Sequence, residues 1–401
     1  MTVSKRIESI DILRGIVMII MCLDHTRDYF QDLQSAGWPM DLETTTPSLF
    51  FTRYITHFCA PIFVFLSGVS IFLQSKRKTK KELTVFLLTR GLWLIFLEIF
   101  LNNFLWNFDV TYNIVVFQVI WAIGASMVIL AGLIHLNKKV LLILGIVIVS
   151  GHNLLNEFGY SSIVYVYDGK GAMDFLWYLI HQPGGFEIGE NHRFISAGYP
   201  MLPWLGVMIL GFCLGSLYSK SFDQLRRSKY LIVIGSSALL LFILLRTFNL
   251  YGDPQFSFYA QDSFFKSMVS FLRITKYPPS FHFILVTIGV CLISLALLEK
   301  FKNRITDFLL VFGRVPLFFY FVHVAVIHVA SMLMKPLYGD VMYSTVNNYE
   351  NFINEQHRYL GTDLLGVYIA WILIIAALYY PCLKYMRYKM NNKDKKWLSY
   401  F

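Results

Sequence analysis

The chain has 401 residues, of which 56% are hydrophobic and 17% aromatic but only 15% charged. A soluble globule carries roughly a quarter charged residues, so disorder and an ordinary water-soluble domain are both excluded, and lipid is the expected solvent. The net charge of +10 does not imply a nucleic acid partner, because the Lys and Arg fall in short loops between apolar stretches, where they act as orientation signals.

Ten stretches approach the ~20 apolar residues that span a bilayer: about 10–30, 57–74, 85–105, 114–135, 139–155, 201–218, 230–248, 281–299, 308–334 and 364–384. They predict an all-α polytopic transmembrane helix bundle, with 1–401 forming one domain. Lys5 and Arg6 precede an apolar run as in a signal peptide, but Ile20-Met21 before Cys22 offers a peptidase no small residue, so an uncleaved first helix is expected. Ten spans place both termini on one side. That side collects 22 of the 35 basic residues and six acids, including Lys76 to Lys81, Lys220 to Lys229 and the tail from Lys384, which makes it cytoplasmic. The longest loops, about 156–200, 249–280 and 335–363, then face outward and are expected to be functional. Cys22, Cys59, Cys213, Cys291 and Cys382 all fall in predicted spans and read as small buried hydrophobes.

Ionisable residues inside a membrane bundle must face protein or a water-filled cavity. Asp11, Arg14, Met18, Met21, His25 and Asp28 recur at intervals of 3, 4, 3, 4 and 3, which marks one face of the first helix. Asp11 and Arg14 lie at its cytoplasmic end, and His25 lies ~22 Å beyond Ile10, in the outer half. Asp28 or Asp24 is placed to accept from one imidazole nitrogen of His25 while the other points into a cavity, as in an oriented general base. The same stretch also reads as a helix end meeting water, with Asp24 and Arg27 paired. Other polar residues of the outer half are His57, Asn102, Asn103, Asn107, Gln118, His152, Asn153, His323 and His328, and so many together suggest a site. His323 and His328 do not share a helix face, and no two histidines stand three or four residues apart, so no metal is expected. On the cytoplasmic half Arg14, Arg90 and Arg314 would suit a phosphate-rich ligand, although Arg14 is also placed to pair with Asp11.

The motif Arg6-Ile-Glu-Ser-Ile-Asp11-Ile-Leu-Arg14-Gly15, followed by Asp24-His25-Thr26-Arg27-Asp28-Tyr29-Phe30, resembles the first helix of bacterial membrane proteins related to heparan-alpha-glucosaminide N-acetyltransferase. Thr56-His57-Phe58-Cys59-Ala60-Pro61 resembles that family's second helix, Tyr199-Pro200-Met201-Leu202-Pro203-Trp204 its sixth, and Gly313-Arg314-Val315-Pro316 its ninth. The opening motif is also similar to the wider superfamily of membrane O-acyltransferases, whose terminal histidine of the first helix is taken as catalytic. That role carries over to His25. The heparan enzyme shows an asparagine at this place and its histidine further along, so His25 and His57 share the candidacy. Gln118 matches a glutamine of the family's fourth helix, and Arg14 and Arg90 fall where the relatives' arginines meet acyl-CoA.

The resemblance implies a multi-pass protein of the bacterial cytoplasmic (inner) membrane, embedded in the lipid bilayer. It would move an acetyl group from cytosolic acetyl-CoA, a co-substrate, to a hydroxyl or amine of a sugar or glycan acceptor outside. Arg14, Arg90, Asp11 and Arg314 would then form the acyl-CoA site, with His25, Asp28, Asp24 and His57 catalytic. Asn102, Asn103 or Gln118 would hold the oxyanion, and Trp204, with other outward aromatics, would meet the sugar or anchor the interface. A homodimer is compatible with this reading. The rival expectation is a proton-coupled transporter of a small polar solute, with a midplane site and broken helices in two repeats.

Overall fold

A computed structural model of the chain describes residues 7–32, 38–158, 172–188, 193–334, 337, 361–392 and 394–399. It is a helix bundle. Among the described residues, eight helical runs are long and apolar enough, by length and composition, to cross a membrane. The first helix, α1 (Glu8–Phe30), is not one of the eight because of its charges. Asp11, Asp24 and Arg27 are nevertheless buried, and α1 packs against α2 (Pro47–Thr56), α3 (Cys59–Ser75), α12 (Phe281–Leu298), α13 (Arg304–Gly313), α14 (Pro316–Met334) and α15 (Leu364–Asn391).

The remaining helices pack in layers around this hub. α4 (Lys80–Phe96) crosses α6 (Val119–Leu133), α7 (Lys138–Gly151) and α3 clasp α9 (Met201–Leu214), and α10 (Gln224–Thr247) lies along α12. α5 (Asn103–Asn107), α8 (Ala172–Ile180) and α11 (Phe264–Leu272) are short. Several starts are set by local side chains. Thr79 and Glu82 form a capping box at α4, and Ser280, Asp223 and Asp363 cap α12, α10 and α15, each satisfying an orphan N–H of the first turn.

Glycine permits the closest crossings. A Cβ on Gly15 would stand 2.1 Å from the Leu309 carbonyl oxygen, and one on Gly313 would stand 1.8 Å from that of Asp11, so α1 and α13 meet backbone to backbone, as small residues allow within membranes. All five cysteines are buried.

Three predicted spans differ in detail. The stretch predicted as 114–135 begins with a strand, β1 (Ile114–Phe117), whose β-branched run pairs in parallel with β3 (Arg193–Ala197), which pairs antiparallel with β2 (Gly184–Ile188). The stretch predicted as 308–334 is two helices, because Pro316 cannot donate to a continuing ladder and the chain turns at Arg314-Val315. The second span is preceded by α2, which ends at His57, the residue whose carbonyl Pro61 cannot bond. Of the three long loops, the first carries α8, β2 and β3 and the second carries α11. The third lies mostly outside the described residues.

Candidate functional site

The face of α1 marked by the 3-4 spacing lines a cavity of about 330 Å³. Arg14, Met18 and Met21 form one wall, Arg90 of α4 and Arg314 of the α13–α14 turn bring two more guanidinium groups, and Lys389 of α15 adds an ammonium. All three arginines singled out in the sequence therefore border one space, and Lys389 joins them from a tail that reads in sequence only as a topology signal. Arg14 donates to Asp11 Oδ1 at 3.0 Å, to Ser70 Oγ at 3.2 Å and to the Gly313 carbonyl at 3.3 Å. Asp11 also faces Arg314 at 3.9 Å, and Glu8 faces Arg314 at 3.5 Å. Asp11 thus sets the arginines rather than facing a ligand itself.

Tyr320 also lines this cavity, and it stands edge-on to His25 with ring centroids 6.3 Å apart. His25 lies roughly 16 Å beyond Arg14 along α1 and is half-buried. Its Nδ1 sits 2.8 Å from Nε2 of His323, which is itself fully buried. His323 Nδ1 is 2.9 Å from the Phe319 carbonyl, an acceptor that requires a proton on that nitrogen. With Nδ1 protonated, His323 Nε2 is an acceptor, so His25 donates from Nδ1 and keeps the lone pair of Nε2 for chemistry. Trp106 packs edge-on at 4.8 Å.

The spacing in α1 assigns orientation of His25 to Asp28 or Asp24, and here the structure corrects it. Asp24 accepts from Arg53 at 2.7 Å through each oxygen and pairs with Arg27 at 3.1 Å. Asp28 pairs with Arg27 at 2.8 Å and is exposed. The carboxylates are held by arginines and the imidazole by a second imidazole. His57 is buried at the α2–α3 junction, with Tyr54 and Phe283 against its ring and Nδ1 lacking a partner among the described residues. Its environment is that of Asp24 and Arg53, and His323 rather than His57 completes the His25 pair.

Asn102 donates to Glu98 at 2.6 Å and its side chain neighbours Tyr320. Glu98 is completely buried in a π-helical turn, Leu97–Asn102, and accepts the Trp121 N–H at 2.9 Å at the start of α6, where a carboxylate meets the positive end of a helix. Asn103 accepts the Val116 N–H at 2.7 Å and donates to the Glu98 carbonyl at 2.8 Å, which spends it on holding β1. Gln118 stands at the cap position of α6 without a side-chain cap bond. Trp204 is 0% exposed against Tyr199, so its ring is closed to any ligand in this structure.

Sequence reasoning misses the His25–His323 pairing, Tyr320, Arg53 and Glu98 as parts of the site. His323 and Glu98 are noticeable as polar residues in spans. Tyr320 and Arg53 carry no such mark, being an aromatic in an aromatic helix and a cation outside a predicted span.

A family model described as heparan-alpha-glucosaminide N-acetyltransferase, catalytic, matches residues 6–246. The matched part holds Arg14, His25, Arg90 and Glu98, while Arg314, Tyr320 and His323 come from beyond it. A search of curated proteins finds no match.

Proposed function

Since the chain belongs to the heparan-alpha-glucosaminide N-acetyltransferase family, a family of membrane acetyltransferases, we propose that it transfers an acetyl group from acetyl-CoA to a hydroxyl or amine of a sugar or glycan acceptor. The observation that carries the reading is Tyr320, which lines the arginine-walled cavity and also stands edge-on to the His25 ring. Arg14, Arg90, Arg314 and Lys389 supply the charge that a nucleotide's phosphates need. The charged end of α1 faces the cytoplasm, following the basic loops, and the acceptor arrives from the other side.

His25 then acts at the junction. Its Nε2 takes the proton of the acceptor O–H or N–H as the oxygen or nitrogen attacks the thioester carbonyl. The tetrahedral adduct collapses, the C–S bond breaks, and the proton passes from His25 to the departing thiolate. The imidazolium formed in between keeps its Nδ1–H bond to His323, so the ring does not reorient during the step.

The test is CoA release by the purified protein with acetyl-CoA and a panel of amino sugars and neutral sugars, wild type beside His25→Ala and Arg14→Ala. The reading requires turnover in the wild type, its loss in His25→Ala with acetyl-CoA still bound, and weakened acetyl-CoA binding in Arg14→Ala. A folded wild type that neither binds nor consumes acetyl-CoA would overturn it.

A further inference from the structure

A second cavity, of about 530 Å³, lies at the far end of the bundle from the arginines. Lys138, which starts α7, sits over the Phe72 ring near the end of α3, whereas the second cavity is bordered by Asn153 and Asn156, just past the other end of α7. Gln182 and the 249–280 loop complete its walls.

Five carboxamides line this cavity, Asn153, Asn156, Gln182, Asn249 and Gln255, and the first three give it fixed donors. Asn153 Oδ1 accepts the Phe281 N–H at 2.9 Å, Asn156 Oδ1 accepts His181 Nε2 at 2.7 Å, and Gln182 Oε1 accepts the Trp177 indole N–H at 2.8 Å. Each oxygen is engaged, which fixes the amide plane, and no bond among the described residues uses the three NH2 groups. The walls therefore offer oriented neutral donors. Asp253, the one acid among the described wall residues, accepts from Thr275 N at 2.8 Å, Thr275 Oγ1 at 2.6 Å and Ser280 Oγ at 3.0 Å, so its charge pins the loop. Arg246 pins it from below by donating to the carbonyls of Phe271, Ser270 and Arg273 at 2.9, 2.7 and 2.7 Å. Among the described residues the walls carry no Lys or Arg, so these walls offer a phosphate or sulfate no counter-charge. Tyr251 and Tyr277 add aromatic surface. Fixed amide donors beside aromatic rings in a preformed polar cavity suit a neutral ligand with many hydroxyls.

Tyr277 and Lys276 connect the cavity to the His25 end of α1. Tyr277 lines it and donates to the Tyr199 hydroxyl at 3.2 Å, and the neighbouring Lys276 lies within electrostatic reach of Asp24 and His25. We propose that this cavity is a saccharide subsite, holding the neutral sugar units of the acceptor beyond the one that is acetylated. The proposal rests on the acetyltransferase reading for the word acceptor, but not for binding. Asn153, Asn156 and Gln182 lie within residues 6–246, the part matched to the family, and the 249–280 wall lies beyond it.

Isothermal titration of the purified full chain with maltotriose and chitotriose, without acetyl-CoA, tests it. Wild type is expected to bind at least one trisaccharide, and Gln182→Ala, which removes a donor, and Ser257→Trp, which fills the cavity from its exposed rim, are expected to bind it at least tenfold more weakly. Melting temperature and gel-filtration profile report whether the variants remain folded. If wild type binds neither trisaccharide, or if both folded variants bind as wild type does, the subsite is overturned. Binding that both variants lose, in a protein that acetylates nothing, would keep the subsite and remove the enzyme reading.

Discussion

His25 and His323, 298 positions apart in sequence, are joined by a 2.8 Å contact between Nδ1 of one ring and Nε2 of the other. The chain of donors that starts at the Phe319 carbonyl fixes both tautomers and leaves His25 Nε2 as the open acceptor. A base so placed contributes about 10²–10⁴-fold to turnover. His25→Ala should therefore lower kcat within that range. His323→Ala, which leaves the base but frees its ring, should cost about tenfold or more in kcat with little change in KM for acetyl-CoA. Steady-state kinetics decide between these roles, and an unchanged kcat in His323→Ala would remove the pair from the mechanism.

The arginine cavity predicts the complementary pattern. Arg90→Ala and Arg314→Ala should raise KM for acetyl-CoA by about ten- to a hundredfold, since a charge-assisted hydrogen bond is worth about 1.5–3 kcal/mol. The rate at saturation should move far less. Added salt should narrow the gap between wild type and variant, because screening weakens what the arginine supplies. Equal loss of kcat and kcat/KM would place these residues at the reacting atoms instead.

One face of the site is legible in the amino-acid sequence. Spacing alone puts Arg14, Met18, Met21 and His25 on one side of α1, because an α-helix has a fixed period, and that side borders the cavity and the His323 ring. Arg90 and Arg314 are legible because a charge among apolar residues is conspicuous. What sequence does not carry is which residues meet across helices. The His25–His323 contact depends on how α1 and α14 cross, and Asp24 finds Arg53 only because α2 folds back over α1. The strand at Ile114–Phe117 is hidden for another reason: an apolar β-branched run looks like the start of a buried helix until its pairing partner near Phe194 is known.

Asp24 is buried and its partner Arg53 half-buried, and removing one partner of a fully buried pair costs about 3–5 kcal/mol because the other charge is stranded, which sets the upper bound here. Asp24→Asn strands Arg53 and part of Arg27, so the melting temperature of the detergent-solubilised protein should fall markedly. Replacing both partners, as in Asp24→Leu with Arg53→Met, should recover much of the loss. A double variant as unstable as the single one would show that the pair's geometry, rather than its charge, is what the bundle needs.

Gly15 and Gly313 occupy the contact of α1 and α13 where any Cβ would meet backbone oxygen. Overpacking typically costs about 1–3 kcal/mol where side chains can shift, and backbone yields less readily. Gly15→Val should lower the melting temperature and, by displacing Arg14 next to it, raise KM for acetyl-CoA as well. Gly132→Ala is the control, since a Cβ there meets nothing within 4 Å. Equal effects from the two substitutions would mean that helix propensity dominates and the close crossing does not matter.

The acid limit of stability should trace in part to His181, which lies between α8 and β2 and is 0% exposed. Burial pushes its imidazole down to about 4. Its Nε2 bonds Asn156 at 2.7 Å, while Nδ1 has no partner among the described residues, so a second proton would leave a buried charge without an acceptor. The unfolded chain takes up that proton near the ordinary value, about 6.5. Between pH 6.5 and 4 the unfolded state therefore binds more protons, and stability is full above this window, falls through it and levels off below. The loss is at most about 3 kcal/mol. His181→Gln cannot titrate, so the drop in its melting temperature from pH 7.5 to 4.5 should be smaller than that of wild type. Parallel curves would assign the acid sensitivity to other groups.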